Sequence, residues 1–177
     1  VADRNLREIR NFVGVVFLIF YEQLFMPTVW EDVAFGPFNQ GIDDDRLRER
    51  VMQAMAAVNL SLDRHKHRHP HHLSGGEKKR VAIAGVLAMQ PQILVFDEPS
   101  AQLDPRSRRQ LIDLLKTLPL TQFIATHDLD LALELCPRTI VLSEGRVVYD
   151  GQTAIVLNDL HFLSQHALEL PLSLQQL

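Results

Sequence analysis

The sequence predicts an α/β fold in which a mainly parallel sheet carries a small helical subdomain. An apolar run at 93–96 ends in the acidic pair Asp97-Glu98, as in a buried parallel strand whose carboxyl end carries polar side chains. After Asp104, helix-like and strand-like segments alternate, and the right-handed crossover rule then favours a parallel sheet covered by helices. A capping pattern at Ser74 predicts a helix before these strands.

The composition excludes several classes of protein. The 177 residues are 46% hydrophobic and 23% charged, which fits one soluble domain with a sizeable core. A net charge of −4 leaves no broad basic face for nucleic acid. The single cysteine, Cys136, excludes an internal disulfide and fits a reducing compartment. No secretory signal is evident, and the apolar run at 12–20 is far shorter than the ~20 residues that span a bilayer.

The predicted elements follow the polarity pattern and the turn residues. A strand is expected at 13–17, and a capping box at Thr28 predicts a short helix that ends before Gly36-Pro37. Asp43 leads a helix with apolar residues at helical spacing: Leu47, Val51, Met55 and Val58. The C-terminal half predicts, in order, a helix at 105–117, a strand at 121–125, a helix at 128–135, a strand at 138–143, its hairpin partner at 147–149 and a helical tail at 152–168.

The stretch Leu-Ser-Gly-Gly-Glu at 73–77 is a candidate phosphate-binding helix start. Ser74 and Glu77 form a capping box, and Gly75 and Gly76 leave the first backbone N–H groups of the helix uncovered. A helix N-terminus with bare amides favours phosphate. The same residues also fit an ordinary helix cap with glycines for close packing, so this stretch alone does not decide.

The candidate catalytic groups lie at strand ends. Asp97 is placed to hold Mg²⁺, and Glu98 to orient or deprotonate an attacking water. Two solvated acids after a strand would look the same. Asp104 followed by a proline predicts the N-cap of another helix. His127 follows an apolar strand, where a lone histidine is more often structural than catalytic.

The order of these motifs resembles the ATP-binding-cassette (ABC) ATPase family, which has a P-loop NTPase-like fold. LSGGE resembles the signature motif, ILVFDE the Walker B strand, SAQLD the D-loop and Thr126-His127-Asp128 the switch histidine. The stretch PTVWEDVAFGP resembles the energy-coupling-factor branch, which comprises cobalt and nickel importers and their vitamin-importing relatives. The short link to the signature, without a coiled-coil arm, argues against DNA-repair and chromosome-structure ATPases.

This resemblance implies the cofactors ATP and Mg²⁺, and two ATPase subunits that sandwich two ATP molecules. A transmembrane coupling subunit would be the other partner, which places the chain in the cytoplasm, peripheral on the inner face of the cell membrane. The implied catalytic residues are Glu98 and His127, with Asp97 as the Mg²⁺ ligand. The implied contacts to ATP and across the dimer come from Ser74, Gly75, Gly76, Glu77, Asp97 and Asp104.

Two departures from the family pattern bear on catalysis. The 177 residues contain no phosphate-loop pattern G-x-x-x-x-G-K-[ST], and Leu18 stands where the family has its Q-loop glutamine. Gln23 is not assigned that role. We interpret the chain as an ABC ATPase that lacks its N-terminal portion and is inactive alone. The alternative is a degenerate, non-catalytic subunit that acts as a dimer partner or regulatory module.

The resemblance also predicts the organisation of the chain. Residues 1–21 would be a remnant of the nucleotide-binding core, 22–90 the helical subdomain with the signature, 91–151 the rest of the core, and 152–177 a helical tail. Five histidines precede the signature: His65, His67, His69, His71 and His72. They fit a polar loop, and a site for Co²⁺, Ni²⁺ or Zn²⁺ is the third, less favoured hypothesis.

Overall fold

The computed structural model describes residues 3–175. The chain divides into two compact units, Val1–Ala125 and Thr126–Leu177. The elements of the first unit are α1 (Asp3–Phe12), β1 (Val13–Val16), α2 (Val29–Asn39), α3 (Asp44–Ala57), α4 (Leu62–His65), α5 (Gly75–Ala88), β2 (Ile93–Asp97), α6 (Pro105–Thr117) and β3 (Thr121–Ala125), with 3₁₀ turns at Phe20–Gln23 and Pro70–His72. The second unit contains α7 (Leu129–Leu135), β4 (Arg138–Ser143), β5 (Arg146–Gln152), α8 (Thr153–Val156), α9 (Leu160–Gln165) and a 3₁₀ turn at Leu172–Leu174.

The first unit is built on a parallel sheet in the order β1-β2-β3. Val16 pairs with Phe96, and Asp97 pairs with Ala125, so the three strands end at one edge of the sheet. Leu94 and Phe96 are fully buried, while Asp97 at the end of β2 is exposed. The predicted parallel α/β fold is confirmed, and it brings the acidic pair to the edge where ligands bind in such sheets.

Helices α2, α3 and α5 pack on one another to form a largely helical part of the first unit. The predicted spacing of α3 is confirmed, because its apolar residues Leu47, Val51 and Met55 are buried. Helix α5 buries residues on several faces, which explains why its sequence shows little amphipathic character. Its buried apolar residues are Val81, Ala82, Ile83, Ala84, Val86 and Ala88.

The prediction that the helix after Thr28 ends before Gly36-Pro37 is wrong. Helix α2 continues through both residues to Asn39, and the chain turns at Gly41, whose φ is +79°. A side chain at Gly36 would meet Met89 at 2.5 Å, so the glycine serves close packing of α2 on the end of α5. Pro37 is buried within the helix. The Gly-Pro pair therefore marks a packing contact here, and the left-handed residue that ends the helix follows it.

The second unit pairs β4 and β5 as an antiparallel hairpin. Glu144 and Gly145 both have positive φ, 50° and 73°, as a two-residue hairpin turn requires. β5 extends beyond the predicted 147–149, because pairing continues until Arg138 meets Gln152. The predicted helical tail is instead two short helices, since Asp159 caps a new helix. The small core of the second unit consists of Ala132, Val156, Leu157 and Leu163, flanked by Tyr149 and Phe162.

None of the helices between residues 3 and 175 has the length and apolar character needed to cross a membrane.

Candidate functional site

The capping box predicted at the start of α5 is present. The Ser74 hydroxyl accepts a hydrogen bond from the Glu77 backbone N–H at 3.3 Å. In return, Glu77 Oε2 accepts from the Ser74 backbone N–H at 2.8 Å and from the Ser74 hydroxyl at 2.9 Å. These reciprocal bonds fix the first turn of the helix and the direction of its N-terminus.

Gly75 and Gly76 present the first backbone N–H groups of α5. Neither N–H donates a hydrogen bond within the described part of the chain. The Ser74 hydroxyl accepts from the Glu77 backbone N–H and the Ser74 carbonyl accepts from the Lys78 backbone N–H. A side chain at Gly75 would meet no atom within 4 Å, so the approach to this amide is open. Gly75 is exposed and Gly76 is half-buried. Two unused donors at the positive end of a helix dipole form a site suited to a phosphate oxygen.

Glu77 is held on both carboxylate oxygens. Oε2 serves Ser74, and Oε1 lies 3.3 Å from His65 Nε2 and 3.6 Å from Arg68 Nη1. Partial burial acts to raise the pKa of Glu77, but the hydrogen bonds from Ser74 and His65 and the charge of Arg68 outweigh it and lower the pKa to about 2. The Glu77 carboxylate therefore secures the helix start.

The N-terminus of α6 meets that of α5. Asp104 Oδ1 accepts from the backbone N–H groups of Arg106 and Ser107 at 3.0 Å, and Oδ2 accepts from the Ser107 hydroxyl at 2.6 Å. The bonds from Ser107 lower the pKa of Asp104. A side chain at Gly76 would lie 2.5 Å from Ser107 Oγ, so any larger residue there would have to displace Ser107. Ser107 thus connects two stretches that the sequence singled out separately.

Asp97 and Glu98 leave the sheet in different ways. The Asp97 side chain is exposed and makes no hydrogen bond or ion pair with other described residues. Glu98 is partly exposed, and its backbone N–H donates to the Ala125 carbonyl at 2.8 Å. Its φ of 45° is unusual for a residue with a side chain, and this turns the chain sharply after the strand. Two carboxylates at this edge suit a divalent cation and a water molecule.

Lys79 lies behind this edge in the interior of the first unit. Its side chain is 1% exposed, and its ammonium group lies 4.5 Å from the centre of the Phe20 ring. The ammonium has no hydrogen-bond partner among the described residues. Burial lowers the pKa of Lys79 to about 8, and the nearby Asp97 carboxylate opposes that shift. Sequence reasoning missed this residue, because a lysine within a helix normally reaches solvent.

His127 belongs to the second unit and is exposed. It follows β3 by two residues and precedes Asp128, which caps α7 by accepting from the Leu131 backbone N–H at 2.9 Å. The backbone N–H of Asp128 donates to the Thr126 hydroxyl at 3.0 Å. The segment around His127 is therefore ordered by local hydrogen bonds.

A family model described as ABC transporter matches residues 1–101. A protein of Gloeobacter violaceus that carries the name ABC transporter ATP-binding protein is 58% identical over 174 residues, which make up 98% of this chain and 71% of that protein. The chain belongs to the ABC transporter ATP-binding family.

Two further ABC relatives are similar over most of the chain. The energy-coupling factor transporter ATP-binding protein EcfA1 of Methanospirillum hungatei is 43% identical over 176 residues, covering 97% of this chain and 63% of that protein. The structure of cbiO1 from Clostridium perfringens, described as part of the ABC transporter complex cbiONQ, superposes with a TM-score of 0.81 at 37% identity. The superposition covers 93% of this chain and 66% of the cbiO1 chain. This chain thus spans about two thirds of the length of these relatives.

Leu18 stands where the resemblance to the ABC ATPases implies a Q-loop glutamine. Gln23, five residues on, makes a structural contact: its Oε1 accepts from the Phe17 backbone N–H at 2.9 Å, and its Nε2 donates to the Val15 carbonyl at 3.2 Å. Because both ends of the amide are used on the main chain, Gln23 anchors the loop that follows β1.

The histidines before the ABC signature separate into two groups. His65 is buried against Glu77, whereas His69, His71 and His72 are exposed, with the rings of His69 and His71 stacked 5.0 Å apart. No group of three metal-ligating side chains occurs among the described residues. The contact of His65 with Glu77 could not be read from the sequence, because the two residues are twelve positions apart.

Proposed function

We propose that this chain is an ATP-binding subunit that energises an ABC-type importer of a transition-metal ion, cobalt or nickel, or of a vitamin. The open N-terminus of α5 carries this proposal, because it offers two bare amides beside a fixed capping box. The similarity to an energy-coupling factor protein and to cbiO1 supports the importer branch. The membrane partner would choose the transported substrate.

The proposed site divides into two halves. Asp97, exposed and without a hydrogen-bond partner of its own among the described residues, would hold Mg²⁺, and Glu98 would act on the attacking water. His127 would hydrogen-bond the γ-phosphate. Magnesium would supply charge neutralisation on the phosphates. The roles of Asp97 and Glu98 match the residue types at the sheet edge, the role of His127 follows from the resemblance, and each is a proposal for this chain.

The other half would act in a second subunit. The N–H groups of Gly75 and Gly76, together with Ser74, would grip the γ-phosphate of ATP bound by the partner subunit. Glu77 would act there by holding Ser74, since its two carboxylate oxygens already contact Ser74 and Arg68. Asp104 would communicate across the dimer, and Ser107 gives it a direct contact to the signature helix.

A trans-complementation assay tests this proposal. A complete energy-coupling ATPase subunit, disabled in its own signature by a serine-to-arginine substitution, is mixed with this chain, and ATP hydrolysis is measured. We expect this chain to restore hydrolysis and its Ser74→Arg variant to fail, because arginine would fill the phosphate position. Co-sedimentation of both mixtures checks that the subunits associate. Association without hydrolysis by the unaltered chain would contradict the proposal.

A second mixture separates a catalytic from a non-catalytic subunit: here the complete subunit keeps its signature and has its own catalytic glutamate replaced by glutamine. If this chain hydrolyses ATP in its own half of the dimer, this mixture is active and Glu98→Gln abolishes the activity. If this chain only completes the partner's site, this mixture is inactive. As a control, calorimetry with ATP and Mg²⁺ measures whether the 177-residue chain binds ATP by itself.

Docking on a membrane partner has its own support in the first unit. Phe25 and Phe38 are 60% and 65% exposed, and the Phe25 ring lies 4.9 Å from that of Phe35. Exposed aromatic side chains that cluster mark interaction surfaces in proteins. We propose that the helical part of this unit contacts a transmembrane coupling subunit, which would place the chain on the cytoplasmic face of the membrane.

A further inference from the structure

His65 stands apart from the other histidines by its burial and its partners. The residue is 8% exposed. Its Nδ1 lies 2.7 Å from the Ser61 carbonyl oxygen, and its Nε2 lies 3.3 Å from Glu77 Oε1. Both ring nitrogens thus face an oxygen atom, one from the start of α4 and one from the first turn of α5.

These two partners determine which form of the ring fits. A carbonyl oxygen only accepts hydrogen bonds, and so does an ionised carboxylate. Glu77 is ionised at neutral pH, since its pKa is lowered to about 2 by Ser74, His65 and Arg68 against the opposing effect of burial. A neutral imidazole has one N–H and can serve only one of the two oxygens. Both hydrogen bonds form only when the ring carries both protons.

The other charged groups nearby do not replace the contact between His65 and Glu77. Arg68 is the second cation at Glu77 Oε1, at 3.6 Å, and its Nη2 also donates to the His72 carbonyl at 2.6 Å. On α4 itself, Lys66 and Asp63 pair with each other at 3.6 Å. Asp32 of α2 interacts electrostatically with His69 and Glu31, and the buried side chains of α3 are apolar. Loss of one proton from His65 would set a nitrogen lone pair against either the Glu77 carboxylate or the Ser61 carbonyl, so the ring would no longer hold both partners.

We propose that His65 is a positioning residue for the signature: in its protonated form it holds Glu77, which in turn holds Ser74 and the open N-terminus of α5. The phosphate-binding amides would then be correctly aimed when the ring carries both protons and less so once the ring is neutral. The proposal rests on the proposed function, since it concerns how this chain serves the partner's ATP. It adds a residue and a pH dependence to that function.

Two substitutions separate the two hydrogen bonds of His65. Glutamine in His65→Gln carries its amide nitrogen about where Nε2 lies, and so offers Glu77 a donor that does not titrate. Asparagine in His65→Asn places its nitrogen about where Nδ1 lies, and so keeps the bond to Ser61 and loses the one to Glu77. His67→Gln is the matched control, because His67 is exposed in the same segment.

The first measurement follows the Ser74 backbone amide by NMR in the 177-residue chain. Between about pH 5.5 and 8.5, a range that spans imidazole titration, we expect the Ser74 resonance to move together with the ring resonances of His65. The step should persist in His67→Gln and be absent in both His65→Gln and His65→Asn. A Ser74 resonance that stays constant while the His65 ring titrates would overturn the proposal.

The second measurement repeats the trans-complementation assay over the same pH range. Hydrolysis supported by the unaltered chain and by His67→Gln should fall about tenfold at the alkaline end, as expected for loss of a hydrogen bond between charged groups. His65→Asn should be low throughout, and His65→Gln should vary by less than about twofold. His65→Asn equal to the unaltered chain at low pH would overturn the proposal. If no chain supports hydrolysis, the proposed function fails, and the NMR result alone decides the role of His65.

Discussion

Lys79 shows how a single residue can oppose the stability of its own fold. Its ammonium group lies in the interior with an aromatic ring 4.5 Å away and no hydrogen-bond partner among the described residues. A buried charge without such partners is costly, and an aromatic face recovers only part of that cost. Burial therefore disfavours the charged form, which agrees with the lowered pKa of about 8.

Replacement of this lysine by methionine should stabilise the chain. Methionine keeps the length and removes the charge, so we expect Lys79→Met to raise the free energy of unfolding at pH 7 by about 1–3 kcal/mol. Urea denaturation at several pH values measures this, with the neighbouring Lys78→Met as the control. A destabilised Lys79→Met would mean that the ammonium has a stabilising partner.

The pH dependence of that difference has a definite sign. The pKa of Lys79 is about 8 in the folded chain and 10.5 as the ordinary value, so between these two the unfolded chain binds more protons. Stability of the unaltered chain should then rise across this window relative to Lys79→Met. The gain from the substitution should accordingly shrink as pH increases from 8 to 10.5.

At the scale of elements, the two glycines at the start of α5 should respond differently to a methyl group. Gly76→Ala would place its Cβ 2.5 Å from Ser107 Oγ, so we expect a loss of about 1–3 kcal/mol in the free energy of unfolding. Gly75→Ala has open space and should be neutral or stabilising by up to about 1 kcal/mol. Chemical denaturation of both variants gives the comparison.

A second substitution tests whether Ser107 is the cause. Ser107→Ala removes the hydroxyl oxygen that meets the new methyl group, so the double variant Gly76→Ala/Ser107→Ala should be more stable than the two single losses would add up to. A positive coupling of about 0.5 kcal/mol or more would support the contact between the two helix starts. Strict additivity would show that the methyl group is accommodated elsewhere.

Local sequence rules predicted the beginnings of helices well and their ends poorly. Ser74 and Asp104 were recognisable as caps because capping depends on residues within three positions. The end of α2 was not, because Gly36 and Pro37 normally interrupt a helix, whereas here the helix continues and Gly36 allows close approach of Met89, 53 positions later. The left-handed turn at Glu98 was equally invisible, since nothing in its residue type requires it.

At the scale of the whole molecule, the exposed aromatic side chains of the first unit should matter for assembly and little for folding. Phe25→Ser and Phe38→Ser should change the free energy of unfolding by under about 1 kcal/mol, because both side chains are mostly exposed already. Co-purification with the transmembrane coupling subunit should fall at least about fivefold. Leu172→Ser, at a residue 75% exposed in the second unit, is the matched control. Equal loss in all three variants would contradict a specific surface.

The fold and the family followed from the sequence because their signals are patterns in chain order. Strands, the acidic pair and the capped helices all lie in the predicted order, and the parallel register then follows from chain geometry. What escaped were pairs distant in sequence, such as His65 with Glu77 and Lys79 with Phe20. Such pairs depend on how α4, α5 and the loop after β1 pack, and the residues next to each position in the sequence do not determine that packing.

The amide of Gln23 has a consequence for position 18. By accepting from Phe17 and donating to Val15, it ties the two ends of a seven-residue excursion to the sheet, and the buried Phe20 fixes its middle. The backbone at Leu18 is therefore shaped by its neighbours, whichever side chain it carries. A glutamine could therefore be gained or lost at position 18 by exchange of one side chain, with the backbone of the loop unchanged.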